Sequence, residues 1–299
     1  MIRLATAPVS WGIWEATIDR PDLIPPDLFL ETVTNMGYRQ TETGPPGYFA
    51  PNGTAAVERA RRYGVELIAT FLPLRLDDEQ GFTDDLAALD QVVEVLDATG
   101  SGTVLLADSE TPERTAVSGQ PQRMRETGWD GATFEAAAER LLRAVERVRA
   151  RGLDAAFHPH AASHVESPEE VEALLERAPD VGLCIDTGHT VVGGGDPVEL
   201  VRRHADRIRH VHLKDVDGAV LARLRTGQID MDEAWQQGIF CRFGEGVVPL
   251  REFLAAPEVR ELDVWAVIEQ DRIAVTVDDI DEVRRAEERN RALVEEWLS

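Results

Sequence analysis

Eight short apolar runs, at residues 3–10, 38–43, 66–74, 103–108, 153–160, 182–187, 208–214 and 263–270, recur along this chain with amphipathic stretches between them. Runs of that length, bounded by glycine or turn residues, read as strands. Segment 83–99 sets Leu86, Leu89, Val92, Val93 and Leu96 at helical spacing, and 131–151 does the same with Leu141, Leu142, Val145 and Val148. Ser167-Pro168-Glu169-Glu170 and Asp196-Pro197 read as helix starts, a capping side chain ahead of a proline at the first helical position. A last helix is expected over about 278–298. Strand-helix alternation demands parallel strands joined by crossover helices. Eight such units in 299 residues fit an α/β (β/α)8 TIM barrel, a single domain over residues 1–299. A doubly wound open sheet is the competitor, but no G-x-G-x-x-G follows the first strand. Gly193-Gly194-Gly195 lacks the lysine of a phosphate loop and reads as a flexible loop.

Composition narrows the partners. The net charge of −24 argues against nucleic acid and anionic membrane surfaces. Two cysteines, Cys184 and Cys241, make no disulfide framework, which fits a reducing compartment. The start of the chain lacks a signal-peptide pattern, and no apolar stretch approaches the ~20 residues of a membrane span. A cytoplasmic location is expected. A homo-oligomer is an expectation of the fold alone.

Two connections are long, 109–130 after the fourth strand and 215–248 after the seventh. Both lie on the side where barrels build their sites. Phe240, Cys241 and Phe243 predict that the second packs over the mouth.

Polar residues gather at the ends of the strands. The second ends in Glu42, the fifth in His158-Pro159-His160 with His164 and Glu166 beyond, and the sixth in Asp186-Thr187-Gly188-His189. The seventh ends in His210-Val211-His212-Leu213-Lys214-Asp215 and the eighth in Glu269-Gln270-Asp271. Five of the seven histidines fall at these ends, too many for isolated structural roles. A carboxylate, an imidazole and a second carboxylate from three adjacent strands make an N/O set suited to a divalent metal such as Mn²⁺, Co²⁺ or Zn²⁺. Lys214 is the only lysine in the chain; the other basic residues are arginine. A compact ammonium kept at such a site suggests binding of a substrate oxygen or movement of a proton. The alternative is a salt bridge to Asp215, Glu245 or Glu269. Glu42 either binds a substrate hydroxyl or pairs with Arg39. Trp11 and Trp14 are either barrel packing or a sugar-stacking platform.

At this point the chain resembles the xylose-isomerase-like barrel superfamily of sugar isomerases, epimerases and keto-polyol dehydratases. Cys184-Ile185-Asp186-Thr187-Gly188-His189, Ile208 to Asp215 and Glu269 carry that likeness. Ala7 to Gly12, Thr41 to Tyr48, the stretch from His158 to Glu166, Gly238 to Cys241 and Gly244-Glu245-Gly246 resemble its inosose (keto-myo-inositol) dehydratase branch. The resemblance implies metal ligands at Asp186, His212 and Glu269. His158 stands where many relatives place a fourth ligand, with Glu166 or water as alternatives. His189, Glu166 and Trp11 are expected to bind substrate. The implied cofactor is a divalent ion, Mn²⁺ or Co²⁺ ahead of Zn²⁺ or Mg²⁺. The implied chemistry is dehydration of a keto-polyol through an enediolate, with His160, Glu42 or Lys214 as the base. A ketose or sugar-phosphate isomerase or epimerase shares that enediolate. A non-catalytic sugar-binding or partner subunit is the third reading.

Overall fold

The apolar runs fold into one parallel sheet that curls into a ring. In the computed structural model, which describes residues 2–273 and 275–299, the strands in order are Arg3–Thr6, Gln40–Thr41, a third in two pieces, Thr103–Asp108, Asp154–Phe157, Gly182–Asp186, Ile208–Leu213 and Trp265–Ile268. The pieces of the third strand are Glu66–Leu67, paired with the second strand, and Ala69–Leu74, paired with the fourth. Ile68 joins them: its N–H donates to Thr41 at 3.0 Å and its carbonyl accepts from Thr103 at 3.1 Å. The first strand pairs with the eighth, so hydrogen bonding runs around the whole ring.

Most strands are shorter than the apolar runs that announce them. The first stops at Thr6, because Pro8 has no N–H for the ladder and Pro8–Trp11 winds into a 3-10 turn ended by Gly12 at φ 71°. Helix Glu79–Thr99 starts earlier than its spacing suggests, because Asp78 accepts from the N–H groups of Gln80 and Gly81. Ser167 and Glu170 form a reciprocal capping box ahead of Pro168–Arg177. The final helix is Ile280–Leu298, entered through a 3-10 turn at Val277–Asp279.

The expectation of a flexible loop at Gly193 to Gly195 is corrected. A Cβ on Gly193 would lie 2.3 Å from the carbonyl oxygen of Glu166, so the glycine permits close backbone packing. Neither long connection is structureless. The first holds helices Pro112–Thr115 and Pro121–Glu126, pinned by Arg114, which is wholly buried and donates to Ser163 O, Met124 O and Glu170. The second holds helices Gly218–Arg225 and Met231–Gln236 and an antiparallel pair, Asp215–Val216 against Phe240–Cys241. Phe240 and Phe243 are buried, as the packing expectation required.

Inside the ring the side chains are small. Ala69, Leu105, Ala156 and Cys184 form one inner cluster, and Ala5, Ala7, Ile68 and Val267 another. They make the floor on which the mouth of the barrel is built.

Candidate metal centre and pocket

Register stacks the polar side chains in layers. Cys184 pairs with His210, Asp186 with His212, and His212 with Val267. Successive inward positions on a strand are two residues apart. Above Cys184 and His210 therefore come Asp186 and His212, level with Val267, and one step further up come Lys214 and Glu269, with Asp271 beyond. His212 Nδ1 lies 3.1 Å from Glu269 Oε2 and 3.5 Å from Asp186 Oδ2. His158 Nε2 reaches the same Asp186 oxygen at 3.5 Å. Asp186, His212 and Glu269 present ligand atoms within 4.8 Å of one another.

Two ring nitrogens aimed at this spot, His158 Nε2 and His212 Nδ1, are buried without a hydrogen bond, and they face Asp186 Oδ2 and Glu269 Oε2, whose neighbouring cation is Lys214. Buried polar atoms are normally satisfied, so two bare imidazole nitrogens facing two buried carboxylates point to a ligand. Two imidazoles and two carboxylates fit a divalent transition metal. The other ring nitrogen of His212 fixes its role: Nε2–H donates to Glu42 Oε1 at 2.9 Å, which turns Nδ1 toward the cluster. His210 Nε2 donates to the same oxygen at 2.8 Å.

Electrostatics agree with a cation site. Burial raises the Glu42 carboxyl, but His212 and His210 outweigh it and hold it below its ordinary value. Burial pushes Glu269 up to about 7, against the pull of His212 and Lys214. Burial lowers the His212 imidazole, yet Glu269 and Glu42 outweigh it and raise it. A field that holds a proton on His212 also holds a metal ion. His158 is pushed down to about 4 by burial, so it stays neutral and able to ligate.

Lys214 is buried, its Nζ 2.9 Å from Asp186 Oδ2, 2.9 Å from Glu269 Oε2 and 3.2 Å from Asp271 Oδ2. Its partners are therefore Asp186, Glu269 and Asp271; of the three expected alternatives only Glu269 is one. Asp215 instead accepts from the N–H groups of Val216, Gly244, Gly246 and Val248, and Glu245 pairs with Arg289.

A pocket of about 150 Å³ opens above this layer, walled by Trp14, Phe71 and Trp235 and reached by Glu42, His158, His160, His212, Lys214 and Glu269. His160 donates Nδ1–H to Ala161 O at 2.9 Å, which leaves its Nε2 lone pair free. Burial, with His158 and Lys214, pushes that imidazole down to about 3, so it is neutral.

Four sequence expectations change here. Glu42 does not pair with Arg39, whose guanidinium donates to the carbonyls of Thr34 and Tyr38; held by two imidazoles, Glu42 orients His212 rather than standing free as a base. Trp11 is wholly buried edge-on against Phe29, off the pocket wall, and Trp14 stands there instead. Glu166 accepts from Ser118 Oγ, Gly119 N and Ala162 N, so its carboxylate is taken up by the 109–130 connection and its own loop, off the pocket wall. His189 lies behind His160, with ring centres 4.0 Å apart; its Nδ1 accepts from Ala161 N and its Nε2 lies 3.4 Å from Lys214 Nζ, so it meets the pocket through His160 and Lys214.

Residues 30–289 match the family described as xylose isomerase-like TIM barrel. The chain belongs to that family. It is 29% identical over 280 residues to an inosose dehydratase of Geobacillus kaustophilus, spanning 90% of this chain and 87% of the relative. It is 33% identical over 280 residues to the rhizopine catabolism protein MocC of Rhizobium meliloti, spanning 91% and 82%. The fold matches the IolI protein, solved with a bound zinc atom, at TM-score 0.70 and 14% identity over 98% of this chain and 97% of that one.

Within this xylose isomerase-like barrel, sequence reasoning missed several pocket residues. Asp271 shares the parity of Glu269, two residues on, and that parity could have found it. Glu110 sits two residues past Asp108, at a strand end where no imidazole drew attention. Phe71 and Trp235 carried no polar signal, and Trp235 lies on the long connection whose path the sequence does not give.

Proposed function

We propose that this protein is a metal-dependent lyase that dehydrates a keto-inositol or related keto-polyol, with Asp186, His212, Glu269 and His158 holding the ion. The observation that carries the reading is the convergence of two bare imidazole nitrogens and two buried carboxylates beneath a small aromatic-walled pocket. The identity to an inosose dehydratase over 87% of that relative's length supports the choice of substrate. A bound divalent ion supplies Lewis acidity toward a carbonyl oxygen and its neighbouring hydroxyl.

The chain's own residues do the rest. Trp14, Phe71 and Trp235 hold the ring and exclude water. His160, with its free Nε2 lone pair, is placed to take the proton next to the carbonyl. Lys214 is the second proton carrier: with Asp186 Oδ2 and Glu269 Oε2 turned to a bound ion, its ammonium would have donors free for the oxygen on which charge develops. Loss of the β-hydroxyl then completes dehydration. Return of the proton to the other face gives epimerisation, the second reading, because both share the first step.

The test is metal analysis of the purified protein, followed by incubation with 2-keto-myo-inositol and with ketohexoses. Growth of a dione chromophore is the expected outcome. Flat absorbance with an interconverted ketose overturns dehydration in favour of epimerisation.

A further inference from the structure

Among the described residues Ala162 is the one residue other than glycine with φ in the left-handed region, at 64°. It is wholly buried, two residues beyond His160. An alanine Cβ is crowded in that region where glycine is not, and such a conformation persists only where its surroundings hold it. The turn it closes is tight: the carbonyl of His160 accepts from Ser163 N at 3.3 Å and from Ser163 Oγ at 2.8 Å. A positive φ at the third position of such a turn fits the type II pattern.

That backbone choice sets the direction of one peptide. A peptide is planar and trans, so its C=O and N–H point to opposite sides. In the peptide joining Ala161 to Ala162, the carbonyl accepts from His160 Nδ1–H at 2.9 Å. The N–H on the other side donates to Glu166 Oε2 at 2.9 Å, with Ser118 Oγ at 3.3 Å. Glu166 is itself held: its Oε1 accepts from Ser118 Oγ and Gly119 N, and its own N–H donates to Glu170 Oε2 at 3.1 Å. Glu170 pairs with the wholly buried Arg114, whose Nε donates to Ser163 O at 2.8 Å and so closes the frame on the same turn. Glu110 Oε1 stands 3.4 Å from His160 Nδ1, farther than the buried carbonyl and on an exposed side chain.

We propose that Glu166 is a positioning residue: through the Ala162 N–H it holds the Ala161–Ala162 peptide in the orientation whose carbonyl fixes the proton of His160 on Nδ1 and leaves Nε2 bare. The inference rests on the reading of His160 as the base and adds what keeps that base in its working tautomer. With the clamp released, Ala162 relaxes out of the left-handed region, the peptide rotates, and Nδ1 loses its acceptor. The proton is then free to sit on Nε2, where the neutral ring can donate toward substrate but no longer accept.

Isotope-labelled histidine, read by nuclear magnetic resonance in the zinc-loaded and hence diamagnetic protein, reports which ring nitrogen carries the proton. His160 is assigned by the loss of its signal in His160→Gln. In the unaltered protein the proton is expected on Nδ1, and finding it on Nε2 overturns the proposal; this arm does not depend on how a variant folds. Glu166→Leu removes both acceptor oxygens at similar size, and the His160 signal is expected to move toward the Nε2–H form. Turnover number on 2-keto-myo-inositol is expected to fall about tenfold with KM little changed, the mark of a base misplaced while substrate still binds. Circular dichroism and metal content report that the variant is folded and loaded. In Glu166→Leu/Ala162→Gly, where glycine takes a positive φ without a clamp, tautomer and turnover are expected to return. An unchanged tautomer in Glu166→Leu, or a fall in turnover that only follows lost metal, overturns the positioning role. No recovery in the double variant overturns the route through Ala162. The tautomer is read without substrate, so the two readings fail separately. A protein that meets the tautomer expectations but leaves 2-keto-myo-inositol intact loses the proposed reaction and keeps the positioning; one that turns it over with His160 protonated on Nε2 keeps the reaction and loses the positioning.

Discussion

The two ends of the barrel handle charge in opposite ways. At the mouth, Asp186, His212, Lys214 and Glu269 are buried and face one another within about hydrogen-bond reach. At the far end a wider cleft, about 610 Å³ against about 150 Å³, is edged by Arg3, Glu66, Asp154 and Arg209, all exposed. Arg3 pairs there with Asp263 across 3.6 Å, with side chains 46% and 79% exposed. Exposed pairs contribute little, whereas buried charges are costly unless held by partners. Cleft size therefore does not mark the working end. The concentration of desolvated charge and unsatisfied ligand atoms does.

The contrast can be broken most forcefully at the ligands. Asp186→Asn or Glu269→Gln is expected to strip the metal and lower turnover by about 10³-fold or more, since each removes a ligand and leaves Lys214 with one carboxylate fewer. Metal content by plasma spectrometry and turnover on one preparation check this; a variant that keeps both removes the site. Lys214→Arg is expected to cost about 100-fold in turnover with metal retained, because a planar fork does not reproduce a compact ammonium between three carboxylates. Near-normal turnover would leave Lys214 as a salt bridge alone.

Smaller effects sharpen the same picture. Glu42→Gln weakens the hold on His212 Nε2–H and is expected to lower metal affinity about 10–100-fold, measured by competition with a chelator. Acid should also release the ion. Glu269 is raised to about 7, so below that pH its carboxyl is protonated and metal must displace the proton. Affinity is expected to fall more than about tenfold per pH unit below 7, where Glu269 and His212 must each give up a proton, and to go on rising above 7 because the raised His212 imidazole still carries one. Arg209→Ala, at the far end, is expected to change stability by less than about 0.5 kcal/mol and turnover not at all, read by thermal melts and steady-state rates. A large loss there would erase the distinction between the ends.

Much of this was legible in the sequence, and the reasons are physical. Strand parity is a local property, so Asp186, His212, Glu269 and Lys214 could be placed on inward faces from spacing alone. His158 and His160 followed from the same rule. What spacing cannot give is which partner a side chain meets across the ring. Glu42 read as a base or a partner of Arg39, yet it meets His210 and His212, 168 and 170 residues away. Glu166 read as facing the pocket, but the 109–130 connection folds back and offers it Ser118 Oγ and Gly119 N–H. Trp11 was lost to a turn that Pro8 forces one residue after the strand, which rotates the indole into the outer core. Trp235 and Glu110 sit just past or far from the periodic segments, where periodicity carries no information.

Asp215 has a consequence for how such barrels diversify. One carboxylate receives four main-chain N–H groups, three of them from Gly244, Gly246 and Val248 at the far end of an excursion of about thirty residues. The excursion is therefore tied off at its neck like a drawstring bag, and its contents are free to vary. Helices such as Gly218–Arg225 and Met231–Gln236, the second of which carries Trp235, can be exchanged without reworking the strand that bears His212 and Lys214. A graft between relatives should keep the acid after the lysine and the glycines it ties, and only then swap what lies between them.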